Sequence, residues 1–132
     1  MSVVADTHAV VWYILEPAQL SASARALFEQ AALTGEPIYV SAISIIEVCY
    51  LIDKGRLPAL VLPTLVDTLQ DEGMSLHLFP VDLEVALTLP RIARADVPDM
   101  PDRIIAATAL YLGVPLVSRD RKIQAAGIRT IW

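Results

Sequence analysis

Short β-rich runs alternate with helical stretches from one end of the chain to the other, and this alternation most constrains what the chain can fold into. Ser2 to Asp6 is β-rich, Thr7 to Leu15 is helical and stopped by Pro17, and Ser21 to Leu33 has apolar residues at helical spacing, closed by Gly35. A strand over Ile38 to Val40 precedes a helix over Ala42 to Lys54, apolar almost all round, with Gly55 as its C-terminal cap. Leu60 to Glu72 predicts a helix, Leu76 to Phe79 a strand and Leu83 to Leu89 a short helix. Arg91 to Met100 reads as a loop, followed by a helix over Pro101 to Tyr111. A strand over Pro115 to Ser118, a short helix over Arg121 to Ala126 and a strand over Arg129 to Ile131 complete the pattern. Strands separated by helices imply βα units, hence an α/β protein with a parallel sheet of four to five strands and helices on both faces.

In such a sheet every strand ends on the same edge, and ligands bind there. Four acids fall at or near that edge. Asp6 closes the first strand, Glu47 lies in the second turn of the helix after the second, Asp102 is in the first turn of a later helix, and Asp120 follows the strand ending at Ser118. Asp6, Asp99, Asp102 and Asp120 are each plausible helix caps or first-turn acids, since a carboxylate there meets free N–H groups and the positive end of the dipole. Asp99 and Asp102 have capping-box spacing. Glu47 resists that reading. Ser41 is the better N-cap, so Glu47 sits inside a mainly apolar helix with no basic residue within a turn of it. A buried carboxylate without a partner is costly and needs a cation or a proton. A metal ion held jointly with Asp6 is the simplest solution, and carboxylates suit hard cations such as Mg²⁺ or Mn²⁺.

Composition narrows the class. The chain has 132 residues, 55% of them hydrophobic, and a mean hydropathy of +0.55. The longest stretch without charge, Ile104 to Ser118, contains Gly113 and Pro115 and is shorter than the roughly 18 apolar residues a spanning helix needs. The start has no basic region of a signal peptide. No linker or repeat is visible, so one domain over 1–132 is expected. A single cysteine, Cys49, rules out an intrachain disulfide and a Cys-based zinc site. It reads as core packing and fits a reducing, cytoplasmic setting. The excess apolar content points to strands covered on both faces or to an apolar interface, and self-association as a homodimer is expected.

Net charge is −5, which argues against generic coating of nucleic acid. The charge is unevenly placed, however. Residues 1–90 carry 3 basic and 11 acidic side chains, net −8, and residues 91–132 carry 7 basic and 4 acidic, net +3. The later region can meet phosphates while the molecule as a whole stays acidic.

At these residues the sequence resembles the PIN domain family, and within it the VapC-type toxins of bacterial and archaeal toxin–antitoxin pairs. The matching pieces are VVADTHAVVW at the start, SAISIIEV around Glu47, PDRIIAATAL around Asp102 and LVSRD around Asp120, in the family's order. The resemblance implies a three-layer α/β/α sandwich and Mg²⁺- or Mn²⁺-dependent cleavage of RNA by an activated water. It carries over Asp6, Glu47 and Asp102 as metal ligands and Asp120 as a fourth acid that binds a second metal or orients water. Thr7 and Ser118 match small polar positions that help hold the cluster, and Arg103 and Arg119 match positions where a cation meets RNA phosphate or a VapB-type antitoxin. The antitoxin is expected to bind through an apolar groove. Two departures stand out: Asp99-Met-Pro-Asp-Arg103 replaces the Asp-Pro-Phe-Asp-Arg of many relatives, and Ile46 stands where many have Trp. Asp99 is therefore kept as a capping or supporting residue, His8 as a first-turn residue that can lean toward the acids, and Trp12 and Tyr13 as packing.

The alternative class is a PIN-like binding module that pairs with an antitoxin or RNA without cutting, but acids at all four positions argue against it. A phosphotransfer receiver needs paired acids after the first strand, where only Asp6 stands. A haloacid-dehalogenase-like phosphatase needs a second Asp two residues on, where this chain has His8.

Overall fold

The computed structural model describes residues 1–132. Strands β1 (Val3–Ala5), β2 (Ile38–Ser41), β3 (Leu76–Phe79), β4 (Leu116–Val117) and β5 (Thr130–Ile131) form one sheet in the order β3-β2-β1-β4-β5. All four pairings are parallel. The helices are α1 (Thr7–Leu15), α2 (Ala22–Thr34), α3 (Ala42–Asp53), α4 (Val61–Gln70), α5 (Leu83–Thr88), α6 (Met100–Leu112) and α7 (Arg121–Ala125), with short 3-10 turns at Pro17–Gln19 and Leu89–Arg91. The sequence pattern anticipated every strand and helix to within a few residues. No helix is long and apolar enough to cross a membrane.

Alternate residues of β1 feed opposite faces of the sheet, as the two-residue strand period requires. Val3 and Ala5 join Phe28 of α2, Val48 of α3 and Leu65 of α4 in one core. Val4 joins Val85 of α5, Ile105 of α6 and Ile123 of α7 in the other. This is a three-layer α/β/α sandwich, and it accounts for much of the apolar content, because β1 is buried along its whole length. The remainder lies outside: Ile46, Tyr50, Leu83, Leu87 and Met100 are all exposed.

The helix starts follow the sequence. Ser41 accepts from the Ile43 N–H at 3.2 Å and caps α3, and Ser21 caps α2 through the Ala24 N–H. Gly113 ends α6 at φ 68°, a left-handed conformation that costs glycine nothing. Cys49, expected in the core, is only half-buried. Its neighbour Val48 takes the inward position on α3.

Strand order positions the site. From β1 the chain winds outward through β2 to β3 on one side, then returns to place β4 and β5 on the other. The carboxyl ends of β1 and β4 therefore flank the topological switch point, where the crevice of an open parallel sheet opens.

Candidate active site

Asp6 and Asp120 meet because β1 and β4 are neighbours. The Asp6 N–H donates to the Val117 carbonyl at 3.1 Å, carrying the pairing one step beyond β1. The Asp6 carboxylate, 8% exposed, caps α1 by accepting the Ala9 N–H at 2.8 Å. It also takes a hydrogen bond from Ser118, whose Oγ accepts the Asp120 N–H at 3.0 Å. Asp120 caps α7 through the Lys122 N–H at 2.8 Å, and Asp99 caps α6 through the Asp102 N–H at 3.1 Å. Three of the aspartates are thus helix caps, as their sequence positions foretold. A cap bond engages one carboxylate oxygen and leaves the charge and the other oxygen free to act elsewhere.

Glu47 is held differently. The Thr7 hydroxyl, in the first turn of α1, donates to Glu47 Oε1 across 40 residues of sequence. Thr7 Oγ1 also lies 2.9 Å from Ser44 Oγ, which is fully buried one helical turn before Glu47. Sequence reasoning missed this role for Ser44. Inside a helix its three-residue spacing from Glu47 puts both side chains on one face.

Asp6, Asp102 and Asp120 line a cleft of about 410 Å³ together with His8, Arg119 and Arg121. Glu47 and Asp99 face the adjoining groove between α3 and α6, with Ile46, Tyr50 and Met100. Burial, and then the negative charges of Asp99, Glu47, Asp120 and Asp6, push the Asp102 carboxyl up to about 7. Burial also raises Asp6, opposed by the hydrogen bonds from Ser118 and Ala9. Glu47 is raised by burial, opposed by the bond from Thr7. None of the five acids is in an ion pair. The molecule's salt bridge joins the Met1 amino group to Glu36, at the opposite edge of the sheet. Arg119, beside the acids, lies over the Trp12 ring at 4.5 Å from its centroid.

Crowded carboxylates without a counter-cation must hold either protons or a cation. Their donors are all hard oxygens, which suit Mg²⁺ or Mn²⁺ and exclude a soft-metal site. No three of the acids converge on a single point at bonding distance.

Two arginines are placed differently from one another. Arg103 was expected near phosphate or a partner, but its Nη2 donates to the carbonyls of Leu89 (3.2 Å) and Ile92 (2.9 Å), and its Nε is buried without a partner. One residue along α6 from Asp102 is a rotation of about 100°, enough to turn Arg103 away from the cleft toward the turn after α5. Arg121 lines the cleft instead. Its sequence signal was its place beside the capping Asp120. Arg103→Ala is expected to lower stability by about 1–3 kcal/mol, because the Ile92 carbonyl loses its donor while Leu89 keeps the Ile92 N–H, shifting the urea midpoint, with the cleft's chemistry unchanged in the folded fraction.

An acid-lined cleft at the switch point of an all-parallel α/β/α sandwich defines the class of the molecule. Residues 3–128 match the model of the PIN domain, and the chain belongs to the PIN domain family. It is 31% identical over 124 residues to the ribonuclease VapC22 of Mycobacterium tuberculosis (strain ATCC 25618 / H37Rv), covering 94% of this chain and 91% of that one. Its fold is similar to that of the crystal structure of VapBC2 from Rickettsia felis bound to a DNA fragment from its promoter, with a TM-score of 0.74 at 17% identity over 99% of this chain and 98% of that one. DNA-bound VapBC from Salmonella typhimurium gives a TM-score of 0.73 at 20% identity, over 99% and 97% of the two chains.

Proposed function

We propose that this protein is a divalent-metal-dependent endoribonuclease, the toxin of a toxin–antitoxin pair, acting in the cytoplasm and restrained by a VapB-type antitoxin. The observation that carries the reading is the gathering of Asp6, Asp102 and Asp120 in one cleft, with Glu47 beside it and no cation paired to any of them. Similarity to a ribonuclease along nearly the whole chain supports RNA as the substrate. The exposed apolar residues of α3, α5 and α6 support docking of an antitoxin and formation of a homodimer.

In this reading Asp6, Glu47, Asp102 and Asp120 would hold Mg²⁺ or Mn²⁺, some directly and the others through its waters. When bound, such an ion supplies a water of lowered pKa and a Lewis acid for phosphate oxygens. The chain's own residues do the rest. Thr7 and Ser44 fix the Glu47 rotamer, and Ser118 fixes Asp6 and tethers the Asp120 backbone. Arg119 and Arg121 face the cleft, where their positive charges attract and orient the phosphodiester backbone. A catalytically silent module would have no use for a set of mutually repelling acids held at this much electrostatic cost.

Incubation of the protein with total RNA and Mg²⁺ or Mn²⁺ tests the function. Cleavage should stop with EDTA, and products should lack 2′,3′-cyclic phosphate ends, because water rather than the neighbouring 2′-hydroxyl attacks. Cyclic ends, or cleavage in EDTA, would overturn the metal-dependent mechanism. Thr7→Val keeps the shape of the side chain and removes the donor to Glu47. It should reduce the cleavage rate about 10–100-fold, the range for residues that orient metal ligands, and Thr7→Ser should restore most of it.

A further inference from the structure

Beside the acid cleft lies a second cavity of about 280 Å³, walled by Val11, Trp12, Leu51 and Leu57, with Arg56 also on its lining. His8 lines both cavities, so the two lie on either side of one side chain. Trp12 is the centre of an aromatic and cationic group. His8 is one turn earlier on α1, with ring centroids 5.6 Å apart, Trp132 lies 5.8 Å away, and the Arg119 guanidinium covers the Trp12 ring at 4.5 Å. None of this is needed to hold a cation at the acids.

We propose that this second cavity is a nucleobase subsite: with a phosphodiester in the acid cleft, a flanking base of single-stranded RNA passes His8 and stacks in the Trp12 cavity. The inference rests on the reading of the protein as a ribonuclease. Aromatic rings and arginine planes are the surfaces on which unpaired bases stack, irrespective of sequence. The charge also fits nucleic acid. In a molecule of net charge −5, Arg56, Arg119 and Arg121 are spread over the two adjoining cavities, where successive phosphates of one strand would run.

The chain has two tryptophans, Trp12 and Trp132, and both belong to this group, so intrinsic tryptophan fluorescence reports on this site. The Asp6→Asn variant in Mg²⁺, which should bind RNA without cutting it, is titrated with a short single-stranded RNA and with copies carrying one abasic nucleotide at each position in turn. The parent RNA should quench the fluorescence, and one abasic position should abolish most of the quenching and weaken binding about ten-fold. In the unaltered protein the same abasic RNA should raise KM about ten-fold with kcat within two-fold. Trp12→Leu should remove that sensitivity, and Trp12→Phe should retain it. Equal quenching by parent and abasic RNAs overturns the subsite, as does quenching by a copurifying protein partner but not by RNA. Base-dependent quenching by a protein that never cleaves RNA overturns the ribonuclease reading and leaves the subsite standing. The RNA arm needs no variant at Trp12, so it decides even if Trp12→Leu does not fold.

Discussion

Asp6→Asn is expected to slow RNA cleavage by about 10³-fold or more, the loss of about 4 kcal/mol of metal-derived stabilisation of the transition state. The fold should survive, and the reason is local. Asn is isosteric with Asp and keeps an oxygen that accepts the Ala9 N–H, so the cap of α1 persists. Only the charge is lost, in a position almost sealed from water and shared with Ser118. Glu47→Gln should behave alike, because Gln retains an oxygen for the Thr7 hydroxyl. Calorimetric titration with Mn²⁺ should show weakened binding in both variants, circular dichroism an unchanged fold, and single-turnover assays the rate loss. Undiminished cleavage by either variant would sink the assignment of these acids to the metal.

The second large effect is on stability, and its sign is unusual for carboxylates. Asp102 in the folded protein holds its proton up to about pH 7, and Asp6 and Glu47 are shifted in the same direction. In the unfolded chain these groups lose their protons near pH 4. Between these limits the folded state binds more protons than the unfolded one, so stability falls as pH rises from about 4 to about 7. The metal-free protein should therefore melt at a lower temperature at pH 8 than at pH 5. Asp102→Asn should recover several degrees at pH 8. Asp102 is half-exposed, so solvent screening limits the gain to about 1–2 kcal/mol. Mg²⁺ or Mn²⁺ should do the same for the unaltered protein, since ligands that bind only the folded state stabilise it. The increment should grow as pH rises through 7, where the ion no longer competes with a proton. Scanning calorimetry at pH 5 and pH 8, with EDTA and with Mn²⁺, checks this. Equal melting temperatures at both pH values in EDTA, unaltered by Asp102→Asn, would contradict the electrostatic picture of the cleft.

Much of the molecule was legible along the chain. Two-residue and helical periodicity gave the elements, and Ser41 and Asp99 marked helix starts because capping chemistry is local. Glu47 stood out as a charge amid the apolar residues of α3; in the fold it is half-buried and its partner is the Thr7 hydroxyl. The motif order also nominated all four acids. What the chain could not disclose was adjacency. Nothing local in β1 or β4 says that they pair, yet that pairing brings Asp6 to Ser118 and Asp120 and opens the cleft between them. The rotation of α6 about its axis likewise decided that Asp102 faces the cleft and Arg103 the carbonyls of Leu89 and Ile92. Ser44 acquired its role only when α1 brought Thr7 against α3. Local propensity and capping are written residue by residue, so the sequence by itself determined the elements and nominated the acids. Strand order and helix rotation are set by the burial of two cores at once, so only the tertiary structure decided which nominees meet.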